Sequence, residues 1–374
     1  MKTFFTKYKY AFILAMIILL QLFYITYMFC QREGWHTDEA WSYGFANADH
    51  QTGIYHDKNG AVTNYNTWLD SKTFEDYIKV QEGHSFQFDV VYYNSTVEHN
   101  NPPLHNMLLH AVCSFFPDSF SWWYSYIINA ACFILAMIAL FNLVKALNHS
   151  QTIALFTCFF YGSTTAALNT FIFLRMYALT TALAILLCYI HIQLYNKQFQ
   201  KCCLWYVHLF IIMFLGGFSQ YIFLFLGFFM TLGFSIYLLF QKRWKALLRY
   251  DAAMALSALT VLVFWSHDIK KFTNLSSIYG TDMPYIWEVK YCLQRTFNET
   301  LGIWLPYLNP LRKAILLITF VYLLIIGGGL CFLLRKNKGF QSIVRSIPSK
   351  LSSFFKTVPS RFRNMNKLYL IFTF

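Results

Sequence analysis

Long stretches without any charged residue are the feature that most constrains how this chain can fold. A helix needs about 20 apolar residues to cross the hydrocarbon core of a bilayer, and the sequence supplies runs of this kind repeatedly. The longest run, 202–241, is long enough for two helices that turn near Gly216–Gln220. The uncharged runs occupy residues 10–30, 120–144, 150–174, 176–196, 202–241, 252–267 and 314–334.

These runs predict an all-α polytopic membrane protein with eight complete spans. Residues 367–374 begin a further apolar run, so we expect the start of a ninth span there. Only 13% of the residues are charged, whereas a soluble domain carries about 25%. The net charge of +13 does not indicate nucleic-acid binding, because the basic residues lie between apolar runs and not on one polar surface.

The distribution of basic residues predicts which side of the membrane each loop faces. If the N-terminus is cytoplasmic and the spans alternate, most of the 30 Lys and Arg residues fall in cytoplasmic segments, and Asp251 is the only one of the 17 acids that does. The predicted segments are a cytoplasmic N-terminus with the first span (1–30), a large outer loop (31–118), a transmembrane bundle (119–334) with a second outer loop (268–308), a basic cytoplasmic segment (335–366) and the beginning of a ninth span (367–374).

The first outer loop is too long to lack structure in a compact protein. We expect a short helix over 72–81 and an extended stretch over 86–93. Apolar residues spaced i, i+3, i+4 over 103–116 predict an amphipathic helix that is too short to cross the membrane and lies in its interface. If this segment did cross, every later loop would change sides.

Two adjacent acids, Asp38 and Glu39, directly follow the first span. Trp35 and Trp41 flank them and favour a position at the membrane interface. A carboxylate there could act as a general base that takes a proton from an attacking hydroxyl or amine. The alternative is a solvated pair at a helix start, where acids complement the helix dipole.

Arg175 is the only charged residue between Lys145 and Lys197. It falls at the predicted outer end of a span. A guanidinium group there could bind a phosphate through paired hydrogen bonds, or it could simply reach to the interface as arginines often do.

Several other groups on the predicted outer side are weaker candidates. His99 and His105 could hydrogen-bond a phosphate or a sugar hydroxyl, or they could belong to an ordinary loop and helix start. Lys270 and Lys271 suit an anionic lipid headgroup, although ordinary loop charges would also explain them. Gln220–Tyr221 opens a span. No spacing of histidines or cysteines predicts a metal site.

Three motifs occur in a particular order: Asp38–Glu39 after the first span, Pro102-Pro103-Leu104 opening an interfacial helix, and Arg175 in the sequence 175–179 after the third span. In this order they resemble the GT-C glycosyltransferases. The likeness is greatest to the family-39 group of protein O-mannosyltransferases, lipid A aminoarabinose transferases and bacterial RgtA/B/C/D-like enzymes, and it covers residues 10–266.

The resemblance implies a hexosyl- or pentosyltransferase of a bacterial plasma membrane, working on its outer face without cofactor or catalytic metal. The implied donor is a polyprenyl-phosphate sugar, and the acceptor is a lipid, glycan or protein. Asp38 would take the acceptor proton, with Glu39 orienting it, and Arg175 would hold the donor phosphate. Substrate contacts are expected at Arg175, Tyr177, His99, His105, Gln220, Tyr221, Lys270 and Lys271.

The chain departs from the family pattern in two places. His105 stands where many members have a tyrosine after Pro-Pro-Leu, and Asn101 precedes the double proline where some have a basic residue or histidine. Two other functions remain open. A polymerase or ligase of lipid-linked glycans usually has its large loop late in the chain. A transporter or flippase of lipid-linked sugars should have polar or broken helices near the bilayer midplane.

Overall fold

In the computed structural model, the first uncharged run forms one long helix, α1 (Lys2–Cys30). The structure describes residues 2–50, 67–98, 102–197 and 203–265, all within one compact unit. The other helices in these ranges are α2 (Thr37–Asn47), α3 (Ser71–Ile78), α4 (Phe88–Glu98), α5 (Leu104–Cys113), α6 (Trp122–Asn148), α7 (Gln151–Gly162), α8 (Thr165–Ile172), α9 (Tyr177–Asn196), α10 (Cys203–Ser219), α11 (Ile222–Phe240) and α12 (Trp244–Phe264).

Five of these helices are long and apolar enough to cross a membrane, judged by length and composition. The predicted all-α class is therefore confirmed for the described ranges, which contain no β-strand. The predicted count of eight or nine spans is not confirmed, and the runs 314–334 and 367–374 lie outside the described residues. The five helices are Tyr8–Cys30, Trp122–Asn148, Tyr177–Asn196, Ile222–Phe240 and Trp244–Phe264.

The run 150–174 does not form the single span expected from its composition. It is divided into α7, with 12 residues, and α8, with 8 residues. The break has a local cause, because Ser163 Oγ donates to the carbonyl of Phe159 and Thr164 Oγ1 accepts from the amide of Ala167. Thr164 thereby caps the start of α8. Laid end to end, the two helices are about 30 Å long, which matches the thickness of a bilayer core.

The break is packed against the middle of α1 through Gln21, which is buried. Gln21 Nε2 donates to the carbonyl of Phe159 over 2.8 Å. A Cβ atom at Gly162 would lie only 2.3 Å from Gln21 Oε1, so a glycine allows the two helices to approach this closely. α7 and α8 together therefore run alongside α1.

The ends of the helices collect into two groups. At one end, Tyr43 of α2 donates to the carbonyl of Ser121 before α6, and Tyr92 of α4 donates to the carbonyl of Phe264 in α12. At the other end, Asn196 of α9 donates to the carbonyl of Ala146 in α6. We call the first group, which contains Asp38 and Arg175, the site end. We call the second group, which contains Lys145 and Lys197, the basic end. The site end contains the segments that the alternating topology predicted to share one side, including those around Asp38, Arg175 and residues 219–221.

The helices of the large loop pack on one another at the site end. The predicted helix near 72–81 is confirmed as α3. The predicted extended stretch over 86–93 is wrong, since α4 begins at Phe88. Its buried residues include Val91, Asn94 and Ser95, at helical spacing, and Asn94 Nδ2 donates to the carbonyl of Ala48 at the end of α2. Tertiary contacts outweigh the β propensity of this short segment.

The predicted interfacial helix over 103–116 is found as α5, which is too short to cross a membrane. Its polar residues His105, Asn106 and His110 are buried, whereas Leu108 and Phe115 are exposed. The face of α5 that packs on the protein thus combines these polar residues with Leu109 and Cys113, while Leu108 lies outwards. An exposed apolar side chain on a short helix is compatible with a position in the membrane interface.

Candidate active site

Asp38 and Arg175 form an ion pair at the site end. Arg175 Nη1 lies 2.7 Å from Asp38 Oδ2. Asp38 belongs to the first turn of α2, and Arg175 to the turn between α8 and α9. The Asp38 side chain is 44% exposed and the Arg175 side chain 11% exposed. The expectation that these two residues come together on one side is confirmed.

The first turn of α2 separates the two acids. His36 is the N-cap, and its Nδ1 accepts from the amide of Asp38 over 3.1 Å. Glu39 completes a capping box, since its Oε2 accepts from the amide of His36 over 2.9 Å. Because consecutive residues of a helix point about 100° apart, Asp38 is directed towards solvent while Glu39 is directed into the protein.

Glu39 is fully buried, and both of its oxygens are occupied. Arg32 binds it with both terminal nitrogens, Nη1 to Oε1 over 2.8 Å and Nη2 to Oε2 over 2.5 Å. The amide of Leu174 also donates to Oε1 over 2.8 Å. All of these partners belong to the protein, and the predicted role of Glu39 in orienting Asp38 stays a prediction.

Arg32 was not singled out from the sequence, yet it connects three elements of the site. It pairs with Glu39, and its Nη1 also donates to the carbonyl of Ile172 at the end of α8 over 3.0 Å. Its guanidinium lies 4.5 Å from the ring centre of Trp35, which in turn stacks on Trp122 at 4.2 Å. The sequence offered one indication that Arg32 belongs to the site. It is the first charged residue after the first span, and an aromatic residue lies close by.

Aromatic side chains border the exposed part of the pair. Phe173 and Tyr177, on either side of Arg175 in the sequence, stack with their ring centres 5.8 Å apart. His36 meets Phe173 edge to face at 5.5 Å. Tyr177 remains exposed at the start of α9. Tyr177, a predicted substrate contact, therefore follows Arg175 by two residues and joins an exposed aromatic group with Phe173 and His36.

His105 lies on the buried side of the pair and is only 2% exposed. Burial, and to a smaller extent the charge of Arg175, lowers the pKa of His105 to about 4. The imidazole is therefore neutral near pH 7. Within the described ranges its Nε2 atom has no hydrogen-bond partner, although buried polar atoms nearly always have one.

His110, one helical turn further along α5, has a different role. Its Nε2 accepts from the amide of Gln87, so Nδ1 carries the proton and donates to Asn47 Oδ1 over 3.3 Å. Burial lowers the pKa of His110 as well. This histidine joins α2, α4 and α5, and thereby fixes the helix that carries His105.

The remaining predicted contacts are placed less directly. Ser219 at the end of α10 lies 3.1 Å, Oγ to Oγ1, from Thr180 in the first turn of α9. This contact brings Gln220 and Tyr221 to the site end, and Gln220 is buried there. His99, Lys270 and Lys271 lie outside the described residues.

Among the residues that the structure describes, no three His, Cys, Asp or Glu side chains form a group that could hold a metal ion.

Comparisons with protein families, with curated proteins and with solved structures found no match to this chain. The functional conclusion therefore rests on the residues of this chain and on their arrangement at the site end.

Proposed function

We propose that this chain is a membrane glycosyltransferase that moves a hexosyl or pentosyl group from a polyprenyl-phosphate donor to a lipid, glycan or protein acceptor. The observation that carries this proposal is the direct contact of Asp38 with Arg175. A carboxylate that can accept a proton and a guanidinium that can bind a phosphate are the two groups that such a transfer needs. They come from distant parts of the sequence and meet at the site end, near the ends of the apolar helices.

The donor would open this ion pair. Asp38 is on an exposed helix turn, so its side chain can rotate away, whereas Arg175 is largely buried. The donor phosphate takes the place of the carboxylate on Arg175 and leaves Asp38 available as a base. Donor binding thus prepares both groups for the reaction.

The transfer then takes place between donor and acceptor. Asp38 accepts the proton of the acceptor hydroxyl or amine, whose oxygen or nitrogen attacks the anomeric carbon. The bond between that carbon and the phosphate oxygen breaks, and its electron pair leaves with the polyprenyl phosphate. Arg175 stabilises the negative charge that develops on the phosphate.

His105 supplies a third group for the donor. Its neutral imidazole can donate one hydrogen bond to a phosphate oxygen or a sugar hydroxyl without delivering a proton. Among the described residues, Nε2 of this buried side chain has no hydrogen-bond partner, which supports a place for a donor oxygen there.

The basic end supports an orientation in which the site faces outwards. Lys145, Lys197, Lys242 and Arg243 lie at the ends of helices there, and positive residues favour the cytoplasmic side. We therefore place Asp38 and Arg175 at the outer face of a plasma membrane of bacterial type, among the headgroups of membrane lipids.

Transport of lipid-linked sugars is a second candidate, because the break between α7 and α8 is the kind of feature that transporters use. The break is held on α1 by Gln21 and Gly162. A transporter would move a labelled lipid-linked sugar across proteoliposome membranes without changing it. A lipid-linked glycan polymerase or ligase would instead need a lipid-linked glycan as donor.

The test supplies radiolabelled polyprenyl-phosphate sugars to membranes containing the protein and identifies what becomes labelled. Asp38→Asn should abolish the transfer while the protein still inserts. Asp76→Asn, which changes an exposed acid of α3 in the same loop, serves as the matched control. Full transfer by Asp38→Asn would overturn the assignment, and movement of an unchanged donor across the bilayer would favour the transporter.

A further inference from the structure

The segment from Phe171 to Arg175 carries the chain from the end of α8 towards the start of α9. Its backbone leaves the helical pattern after Ile172. Carbonyls at the end of a helix lack the partners that a longer helix would give them. Buried backbone groups of this kind need other partners, and here they are supplied by side chains from elsewhere in the fold.

Three side chains bind this segment. Asn129 of α6 donates from Nδ2 to two carbonyls, that of Phe171 over 3.1 Å and that of Phe173 over 2.7 Å. Arg32 donates to the carbonyl of Ile172, and Glu39 accepts from the amide of Leu174. Every residue from Phe171 to Leu174 therefore has a backbone group bound by a side chain of another element.

Asn129 differs from the other two in its position. Arg32 and Glu39 belong to the segment that also carries Asp38, whereas Asn129 lies in the second turn of a membrane-spanning helix and is completely buried. A polar side chain in such a helix is costly unless it is hydrogen-bonded. Its two bonds end on the carbonyls of Phe171 and Phe173, four and two residues before Arg175.

We infer that Asn129 is a positioning residue for Arg175: it fixes the turn that carries this arginine to the rigid frame of α6, and so sets where a donor phosphate binds. The inference rests on the proposed function, because it assigns Asn129 to the phosphate side of that site. Arg32 and Glu39 hold the same turn from the side of Asp38. The guanidinium is thus located by contacts that do not themselves touch a substrate.

A double-mutant cycle separates positioning from a general contribution to folding. The probe is radiolabelled undecaprenyl phosphate, which carries the phosphate and lipid of the proposed donor without its sugar. Its binding is measured on the full chain in lipid nanodiscs for the wild type, Asn129→Leu, Arg175→Ala and the double variant. Asn142→Leu is the matched control, because this asparagine of the same helix donates to the carbonyl of Ile138 within α6.

We expect Asn129→Leu to weaken binding about 10- to 100-fold, because a displaced guanidinium loses a hydrogen bond to the phosphate and bonds to charged groups contribute on this scale. In the Arg175→Ala background, Asn129→Leu should have no further effect, because the residue that it positions is gone. Asn142→Leu should bind as the wild type does. If Asn129→Leu does not fold, Asn129→Ser, whose hydroxyl keeps one donor, replaces it in the same cycle.

The outcomes distinguish the two proposals. If Asn129 and Arg175 substitutions weaken binding independently, so that their factors multiply, the positioning role is overturned while the phosphate role of Arg175 stands. If the Asn129 variant binds like the wild type while Arg175→Ala binds weakly, the positioning role fails alone. If Arg175→Ala itself leaves binding unchanged, the phosphate site of the proposed function fails, and the positioning role fails with it.

Discussion

The two ion pairs at the site end use the same chemistry in opposite surroundings. Asp38 and Glu39 are neighbours in the first turn of α2, and each binds an arginine. The Asp38 side chain is 44% exposed and contacts Arg175 through Oδ2, whereas Glu39 is fully buried and uses both oxygens on Arg32. Glu39 also accepts from the backbone amide of His36 at the start of α2 and from that of Leu174 between α8 and α9.

The difference in surroundings determines what each pair can do. Asp38 is the half-exposed partner of Arg175, so it can turn to solvent when a competing ligand takes its place, and the contact contributes about 1 kcal/mol or less. A buried pair cannot lose one partner without leaving a charge uncompensated, which typically costs about 3–5 kcal/mol. Asp38 is therefore suited to a reaction in which its partner changes, and Glu39 to holding the chain segments that meet there.

The largest expected effect is the difference in stability between variants of the two acids. Glu39→Gln should lower the free energy of unfolding by about 3–5 kcal/mol, since it removes a fully buried carboxylate that binds Arg32 and two backbone amides. Asp38→Asn should change it by no more than about 1 kcal/mol. Unfolding of both variants in a mild detergent checks this. Equal losses of stability would contradict the division of roles between the two acids.

The main outline of the fold and site was accessible from the sequence for simple physical reasons. Uncharged runs of sufficient length become helices because the bilayer leaves no other way to satisfy the backbone. Alternation of these helices, with the asymmetry of basic residues, puts Asp38 and Arg175 on one side. The short length of α5 likewise excluded a crossing at 103–116.

The finer features depend on contacts that hydropathy does not register. The run 150–174 is apolar throughout, but Ser163 and Thr164 bond to nearby backbone and divide it. The adjacent acids look equivalent in the sequence, and only the direction of the first turn of α2 assigns one to solvent and the other to Arg32. Asn129 carries no local signal either, because its partners are carbonyls of a distant turn.

The buried histidine of the site, His105, should make the free energy of unfolding depend on pH. The pKa of His105 is about 4 in the folded chain, below its ordinary value of 6.5. The contribution of His105 to the free energy of unfolding is therefore fully present above about pH 6.5. It is lost as the pH falls towards 4, because the unfolded chain binds a proton that the buried imidazole does not. The loss should be on the order of 3 kcal/mol.

Unfolding measured between pH 7.5 and 4 checks this dependence in the wild type and in His105→Gln. His110, whose pKa is also lowered, acts in the same direction and should leave part of the slope in that variant. The control is Asn142→Leu in α6, which changes no titratable group and should keep the slope of the wild type. An undiminished slope in His105→Gln would show that this histidine is protonated as readily in the folded chain as in the unfolded one.

The smallest effect concerns His36, which supports both acids. Its ring accepts from the amide of Asp38, and its own amide donates to Glu39. His36→Ala should lower the free energy of unfolding by about 1 kcal/mol because it removes the side-chain cap of α2, whereas His36→Asn should cost little, since asparagine is a preferred cap. Unfolding of the two variants under one condition measures the difference. If alanine is tolerated as well as asparagine, the start of α2 is held by Glu39 and its buried partners alone, and the exposed acid takes its position from the buried one.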